Sequence, residues 1–216
     1  VITSLDWDMQ QIAEKTVAEG AKNNETLYQG KNAALVAQDP KTGQVLALVG
    51  SRNYFDTAIE GNFNVPLQGL RQPGSALKPF AYLAAFQKGY PSKTIIFDVP
   101  TEFVPNNPLC PIDVDYLNRN KECFHPQNFD QKFRGPVSLE EGLAQSINVP
   151  SVKILYLAGL ENVLNVLHRF GITTLQETWR YGLSLILGGG EVKLIDLVNA
   201  YGTLANEGIR HKQVLI

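Results

Sequence analysis

The stretch RQPGSALKPFAYLAAF, residues 71–86, decides how the chain is read. Pro73-Gly74 closes a loop, and from Ser75 the apolar residues Leu77, Phe80, Ala81, Ala84 and Ala85 recur with helical period until Gly89-Tyr90-Pro91 stops them. A helix that is apolar on more than one face belongs at the centre of a core. Ser75 and Lys78 share a face of it, and in a tight first turn of 3₁₀ type they eclipse, so the hydroxyl is expected against the amine. Pro79 favours that turn by withdrawing one backbone donor where the regular ladder begins.

A serine hydroxyl is a weak nucleophile until a base takes its proton, and a lysine serves as base only when burial or nearby positive charge lowers its pKa. A buried helix start supplies both, and it also offers the Ser75 N–H to a developing oxyanion. A capping serine followed by a snorkelling lysine explains the same four residues structurally, and a bare S-x-x-K is common by chance. The second motif, SINVPS at 146–151, changes the balance. Ser146 and Asn148 fall on a connection between two helices, with Pro150 in the first turn of the second. A hydroxyl there can relay a proton and an amide can bind both a carbonyl and the lysine, whereas alone the pair would read as a helix cap.

Working outward, the 216 residues suffice for one domain or two small ones, and 44% hydrophobic with 19% charged residues is an ordinary globular composition. Lys+Arg 19 against Asp+Glu 21, with no basic run, argues against a nucleic-acid partner. No apolar run approaches the roughly 18 residues of a membrane span, and VITSLDWDMQ lacks the regions of a signal peptide, so any signal or anchor is expected outside these residues. Residues 5–24 predict an amphipathic helix with Trp7, Ile12, Ala13, Thr16 and Val17 on its inner face; AALVAQDPKTGQVLALVG predicts a β-hairpin turning at Asp39–Gly43. Residues 91–137, rich in proline, read as one long irregular stretch, mild evidence of a groove. Helices follow at 138–145, 149–158 and 162–170, and a last one carries Leu194, Leu197, Val198, Tyr201 and Leu204 on one face. Cys110 and Cys123 flank a polar loop short enough for a disulfide in an oxidising compartment, two free thiols being the alternative. His125, His168 and His211 have no ligand spacing, so neither a metal nor a cofactor is expected. LGGG at 187–190 lacks the Gly-Lys-Ser/Thr of a phosphate loop and predicts close backbone packing.

RQPGSALKPFAYLAAF followed by SINVPSVKIL resembles the transpeptidase domain of class A penicillin-binding proteins, within the penicilloyl-serine transferase superfamily. TSLDWDMQ, DPKTGQVLALVG, GPVSLEEGLAQS and VNAYGTLANEG extend the likeness, in the same order, over nearly the whole chain. The resemblance implies an α+β fold of β-lactamase/transpeptidase type: a helical subdomain around the Ser75 helix and an antiparallel sheet present only in part, as the N-terminal helix and hairpin. Residues 1–216 would be the N-terminal and central portion of a single transpeptidase domain. Ser75 would match the nucleophile that attacks the D-Ala-D-Ala carbonyl of a peptidoglycan stem peptide, Lys78 its base, Ser146 the proton relay and Asn148 the substrate-orienting amide. β-Lactams would acylate Ser75 as substrate mimics. A glycosyltransferase domain and a membrane anchor would lie elsewhere in the full protein, with the transpeptidase on the extracytoplasmic side, in the periplasm or at the outer face of the bacterial cytoplasmic membrane. A D,D-carboxypeptidase and a non-catalytic penicillin-recognising sensor or scaffold are the rivals the same motifs allow.

The pattern also departs from that family. Its third motif, K-T-G or K-S-G, follows the other two on a strand, whereas Lys41-Thr42-Gly43 precedes them in the expected hairpin turn. A chain lacking that strand would lack an oxyanion N–H and a neighbouring positive charge, and weak activity or none is expected of it alone. Val65 in FNVPLQ replaces an arginine frequent in such relatives. ENVLN at 161–165 mimics the glutamate motif of class A β-lactamases but stands too close to Ser146 and reads as helix packing.

Overall fold

Asp6 opens the first helix in the computed structural model, which describes residues 1–114, 116–117, 120–176 and 180–216. The chain divides into two compact units: Val1–Gln72 with Leu167–Gln176 and Gly190–Ile216, and Pro73–Val166 with Glu177–Gly189.

In the first unit, α1 (Trp7–Tyr28) is capped by the Asp6 carboxylate, which accepts the Met9 N–H at 2.9 Å. Its buried stripe is Ala13, Val17 and Ala21, narrower than expected: Trp7 is 70% and Ile12 66% exposed. The stripe is narrow because small residues let the helix lie close on the hairpin, where Ala13 and Val17 pack with Ala47 and Val49. The strands β1 (Leu35–Gln38) and β2 (Val45–Val49) pair antiparallel from Leu35↔Val49 to Gln38↔Val45. Between them Asp39 accepts the Lys41 N–H at 2.8 Å and the Thr42 hydroxyl at 2.9 Å, and Gly43 takes φ +79°. Lys41-Thr42-Gly43 is therefore a turn. A short α2 (Val65–Gln68) is capped by Asn64.

The last helix of this unit, α7 (Leu194–Ala205), corrects the expected face. Ile195, Asn199, Ala200 and Thr203 are buried, while Tyr201 is exposed. Polar side chains can occupy the packed face because their bonds close internally: Gln38 Nε2 donates to Asn199 Oδ1 at 3.0 Å, and the Thr203 hydroxyl donates to the Asn199 carbonyl at 2.9 Å.

The second unit is built on α3 (Lys78–Gln87), preceded by a 3₁₀ turn over Gly74–Leu77 as the serine-lysine spacing predicts. Lys78, Phe80, Ala81, Tyr82, Ala84 and Ala85 are buried, which places the helix in the core of its unit. Residues 91–137 are less irregular than expected. β3 (Ile95–Asp98) and β4 (Gly135–Ser138) pair antiparallel from Ile95↔Ser138 to Asp98↔Gly135. Ile96 and Asp98 face inward while Ile95 and Phe97 face out, an alternation too short to stand out among prolines. Further along, α4 (Leu139–Ala144) and α5 (Asn148–Ala158) follow, then α6 (Leu160–Arg169), which belongs to this unit as far as Val166, and Val163 and Leu164 of ENVLN are core residues. Gly142 is a close approach: a Cβ there would meet the Tyr82 hydroxyl at 2.9 Å. Cys110 and Cys123 form a disulfide with Cα atoms 5.3 Å apart. Beside it the Glu102 carboxylate accepts the Val104 and Phe124 N–H groups, each at 2.9 Å, and lies 2.8 Å from His125 Nδ1. Among the described residues no helix is long and apolar enough to cross a membrane.

Candidate active site

Within the second unit a cavity of about 480 Å³ is lined by Gly74, Ser75, Phe129, Gln145, Ser146, Asn148 and Leu187. The serine and the connection singled out in the sequence thus share one wall. Gly74 takes φ +56° at the start of the 3₁₀ turn, and Gly188, at φ +102°, lies so close that a Cβ on it would meet Gly74 Cα and N at 2.9 Å. The close packing expected of LGGG is realised here, as a backbone clamp beside Ser75.

The lysine is placed differently from the expectation. Lys78 is 1% exposed, and its ammonium donates to the Ser146 carbonyl at 2.7 Å, the Asn148 side-chain oxygen at 2.8 Å and the Ser146 hydroxyl at 3.2 Å. Ser75 is exposed, and among the described residues its hydroxyl has no hydrogen-bond partner. The expected serine-lysine contact is therefore replaced by a lysine-connection contact. The physical reason is the supply of acceptors: three oxygens on residues 146–148 satisfy all three ammonium donors inside the unit, and one hydroxyl at the surface cannot compete. All three acceptors are uncharged, so burial dominates, and it pushes the Lys78 ammonium down to about 8.

The connection is held by its own backbone. At the end of α4 the Ser146 N–H donates to the Leu143 carbonyl at 3.0 Å and the Ile147 N–H to the Gly142 carbonyl at 2.9 Å. That is a Schellman arrangement, which needs a left-handed residue and usually uses glycine. Here it is Ser146, with φ +53°. A non-glycine residue in that region carries roughly 1 kcal/mol of strain, and its reward is a carbonyl and a hydroxyl turned toward one amine. Two residues on, Asn148 begins α5; its Nδ2 donates to the Gln127 carbonyl at 2.9 Å, which leaves Oδ1 for the lysine.

Sequence reasoning missed the residues behind this arrangement. Asn128 Oδ1 accepts the N–H groups of Asn148 at 3.0 Å and Val149 at 3.2 Å, while its Nδ2 donates to both Asp98 oxygens at 2.8 and 2.9 Å. A signal did exist, a buried-looking Asp after Ile-Ile-Phe and an Asn inside a proline-rich stretch, but nothing in the spacing joins them. Phe129, beside Asn128, is 102% exposed on the cavity wall.

Comparison with known proteins gives the chain a family and a fold. The family described as the penicillin binding protein transpeptidase domain matches residues 33–216. Penicillin-binding protein 1A of Rickettsia bellii (strain RML369-C) is 35% identical over 181 residues, 84% of this chain and 20% of that protein. Penicillin-binding protein 2D of Bacillus subtilis (strain 168) is 34% identical over 209 residues, 96% of this chain and 27% of that protein. Among solved structures, the penicillin-binding protein PonA1 from Mycobacterium tuberculosis superposes with a TM-score of 0.74 at 25% identity, over 100% of this chain and 52% of that one. The chain thus spans about a fifth to a quarter of the length of these curated relatives.

Proposed function

Since the chain belongs to the penicillin-binding protein transpeptidase domain family, with the fold of its solved members, we propose that it carries the acylation centre of a serine D,D-transpeptidase that cross-links peptidoglycan. One observation carries the reading: a buried amine held on residues 146–148 beside a cavity that is also lined by Ser75, a serine with an open hydroxyl.

In the proposed reaction the Ser75 oxygen attacks the carbonyl of a terminal D-Ala-D-Ala, and its proton passes to the neutral Lys78 amine. The serine-lysine bond forms as substrate enters, since catalytic hydrogen bonds often tighten only in the complex. With a value of about 8, roughly one lysine in ten is neutral at pH 7, compared with far fewer for an ordinary lysine. The Ser75 N–H at the start of the 3₁₀ turn receives the developing oxyanion. Collapse of the tetrahedral intermediate breaks the C–N bond, the Ser146 hydroxyl passes its proton to the departing D-alanine nitrogen and takes the Ser75-derived proton back from the Lys78 ammonium, and Ser75 keeps the acyl group as an ester. An amine from a neighbouring strand then attacks that ester, forms the cross-link and returns the proton to Ser75. A β-lactam follows the first half only, because its ring nitrogen stays tethered after the ring opens. The Cys110–Cys123 disulfide suits the oxidising, extracytoplasmic setting of this chemistry.

The test is labelling with a fluorescent penicillin followed by peptide mass spectrometry, together with D-alanine release and cross-link formation from a stem-peptide donor and an amine acceptor. A single adduct on Ser75, absent in Ser75→Ala, is expected. Labelling that persists in Ser75→Ala, or an adduct on another residue, would refute the assignment.

A further inference from the structure

We infer that Asn128, anchored by Asp98, is a positioning residue of the acylation centre: it ties the start of α5 to the 127–134 segment and so fixes the oxygens that hold Lys78. The inference rests on the reading of Ser75 as nucleophile and Lys78 as base.

The path runs through hydrogen bonds only. The N-cap residue of α5, Ile147, has no side chain able to close the first N–H groups of the helix. Asn128 does this from 20 residues away, accepting from Asn148 and Val149 with one oxygen. The orientation of its amide is settled from the other side, because Nδ2 also donates to the Lys132 carbonyl at 2.7 Å and to the Asp98 carboxylate. Asp98 is fully buried at the end of β3, and its Oδ2 accepts the Arg134 N–H at 3.0 Å. Asn128 itself is 4% exposed, so neither polar side chain can turn to water instead.

The adjoining Gln127 carbonyl takes Asn148 Nδ2, so residues 127 and 128 hold Asn148 by its backbone and by its side chain. A network meant only to fasten a turn needs one of these bonds. Two bonds on the same residue leave a single free atom, Asn148 Oδ1, and that atom accepts from Lys78 at 2.8 Å. Loosening Asn128 therefore withdraws an acceptor from the ammonium. The proton is then held less tightly, and the neutral amine appears at lower pH but in the wrong place.

The experiment follows the rate of Ser75 acylation by a fluorescent penicillin from about pH 6 to about pH 10, in the protein as its cell makes it. Three forms are compared: the parent, Asn128→Ala, and Leu164→Ala, a buried α6 residue outside the network. For Asn128→Ala we expect acylation slower by about tenfold or more, with the ascending limb of the profile moved to lower pH. Leu164→Ala should lose thermal stability with the limb unmoved. If Asn128→Ala does not accumulate as folded protein, Asn128→Ser, whose oxygen is too short to reach α5, carries the same expectation. A limb at the parent's position in the Asn128 variants, whatever the rate, would overturn the positioning role and leave Asn128 a folding residue. A parent protein with no adduct on Ser75 would instead remove the functional reading, so the two failures are distinguishable.

Discussion

Two helices of the second unit begin with a serine followed three residues later by an ionisable side chain, and they use it in opposite ways. At the start of α4, Ser138 Oγ accepts the Glu141 N–H at 3.2 Å and donates to Glu141 Oε2 at 2.8 Å, while the Ser138 N–H donates to the same oxygen at 2.8 Å. This is a closed capping box, with every group spent on the helix end. At the start of α3, Ser75 has an open hydroxyl, and Lys78 turns into the interior toward another segment. Spacing alone does not separate a cap from a reactive pair; what separates them is whether the partner three residues on is returned to the serine or taken elsewhere.

The largest expected effect breaks the α3 side of this comparison. Lys78→Met keeps the volume and removes the proposed base, and acylation of Ser75 should fall by about 10²–10⁴-fold. Stopped-flow measurement with a chromogenic β-lactam checks it. A loss of less than about threefold would mean that Lys78 only fastens the 146–148 connection, as Glu141 only fastens the start of α4.

The pH dependence sharpens the same side. Because the folded Lys78 value is depressed to about 8, the neutral amine is gained as pH rises through it. Acylation should climb about tenfold per pH unit well below that point and level off above it. The stability sign agrees: between about 8 and lysine's unfolded value near 10.4 the unfolded chain binds the extra proton, so stability rises with pH across that window. An acylation profile still rising steeply at pH 10 would show a lysine of ordinary basicity.

How far the residues announced all this depends on the range of the interaction. The 3₁₀ turn before α3 and the hairpin turn at Lys41-Thr42-Gly43 rest on local geometry and were readable from neighbours in sequence, and LGGG pointed to close backbone packing but not to Gly74 as the partner of Gly188. A bond from Lys78 to the Asn148 amide was expected, but the preference of Lys78 for the oxygens of residues 146–148 over the Ser75 hydroxyl was not readable, because those oxygens lie 68 and 70 residues away. The same holds for Asp98 and Asn128, whose meeting depends on β3 pairing with β4 across the proline-rich stretch. On α7 the leucines and Tyr201 suggested one face, and the Gln38–Asn199 bond selected the next one round. Hydrophobic periodicity finds helices well, but it cannot see which polar groups will be satisfied once buried.

A smaller effect tests the serines against each other. Ser138→Ala removes the two bonds of the hydroxyl, leaving the backbone N–H bond to Glu141, and should lower stability by about 1 kcal/mol, read from urea unfolding at unchanged slope. Ser75→Ala removes no bond and should change stability by less than about 0.5 kcal/mol while abolishing labelling. Equal losses from the two substitutions would show that Ser75 also caps its helix and would erase the distinction drawn here.

The smallest effect lies on Glu141. Its carboxyl is held below the ordinary glutamate value, first by the Ser138 N–H and then by the Ser138 hydroxyl. A depressed carboxyl contributes stability that is fully present above its unfolded pKa and is lost as pH falls through the folded one. The contribution of the capping box should therefore fade below about pH 4.3, and Glu141→Gln, which cannot ionise, should flatten that part of the stability profile. Thermal melts of the two forms across the acid range check it, and the same titration gives a contrast with α3. Removing Lys78 should leave the acid limb of stability untouched, because its ammonium stays protonated throughout that range and donates only to uncharged oxygens. If Lys78→Met moved the acid limb as Glu141→Gln does, the two helix starts would be coupled, and the lysine could not be assigned to the 146–148 connection alone.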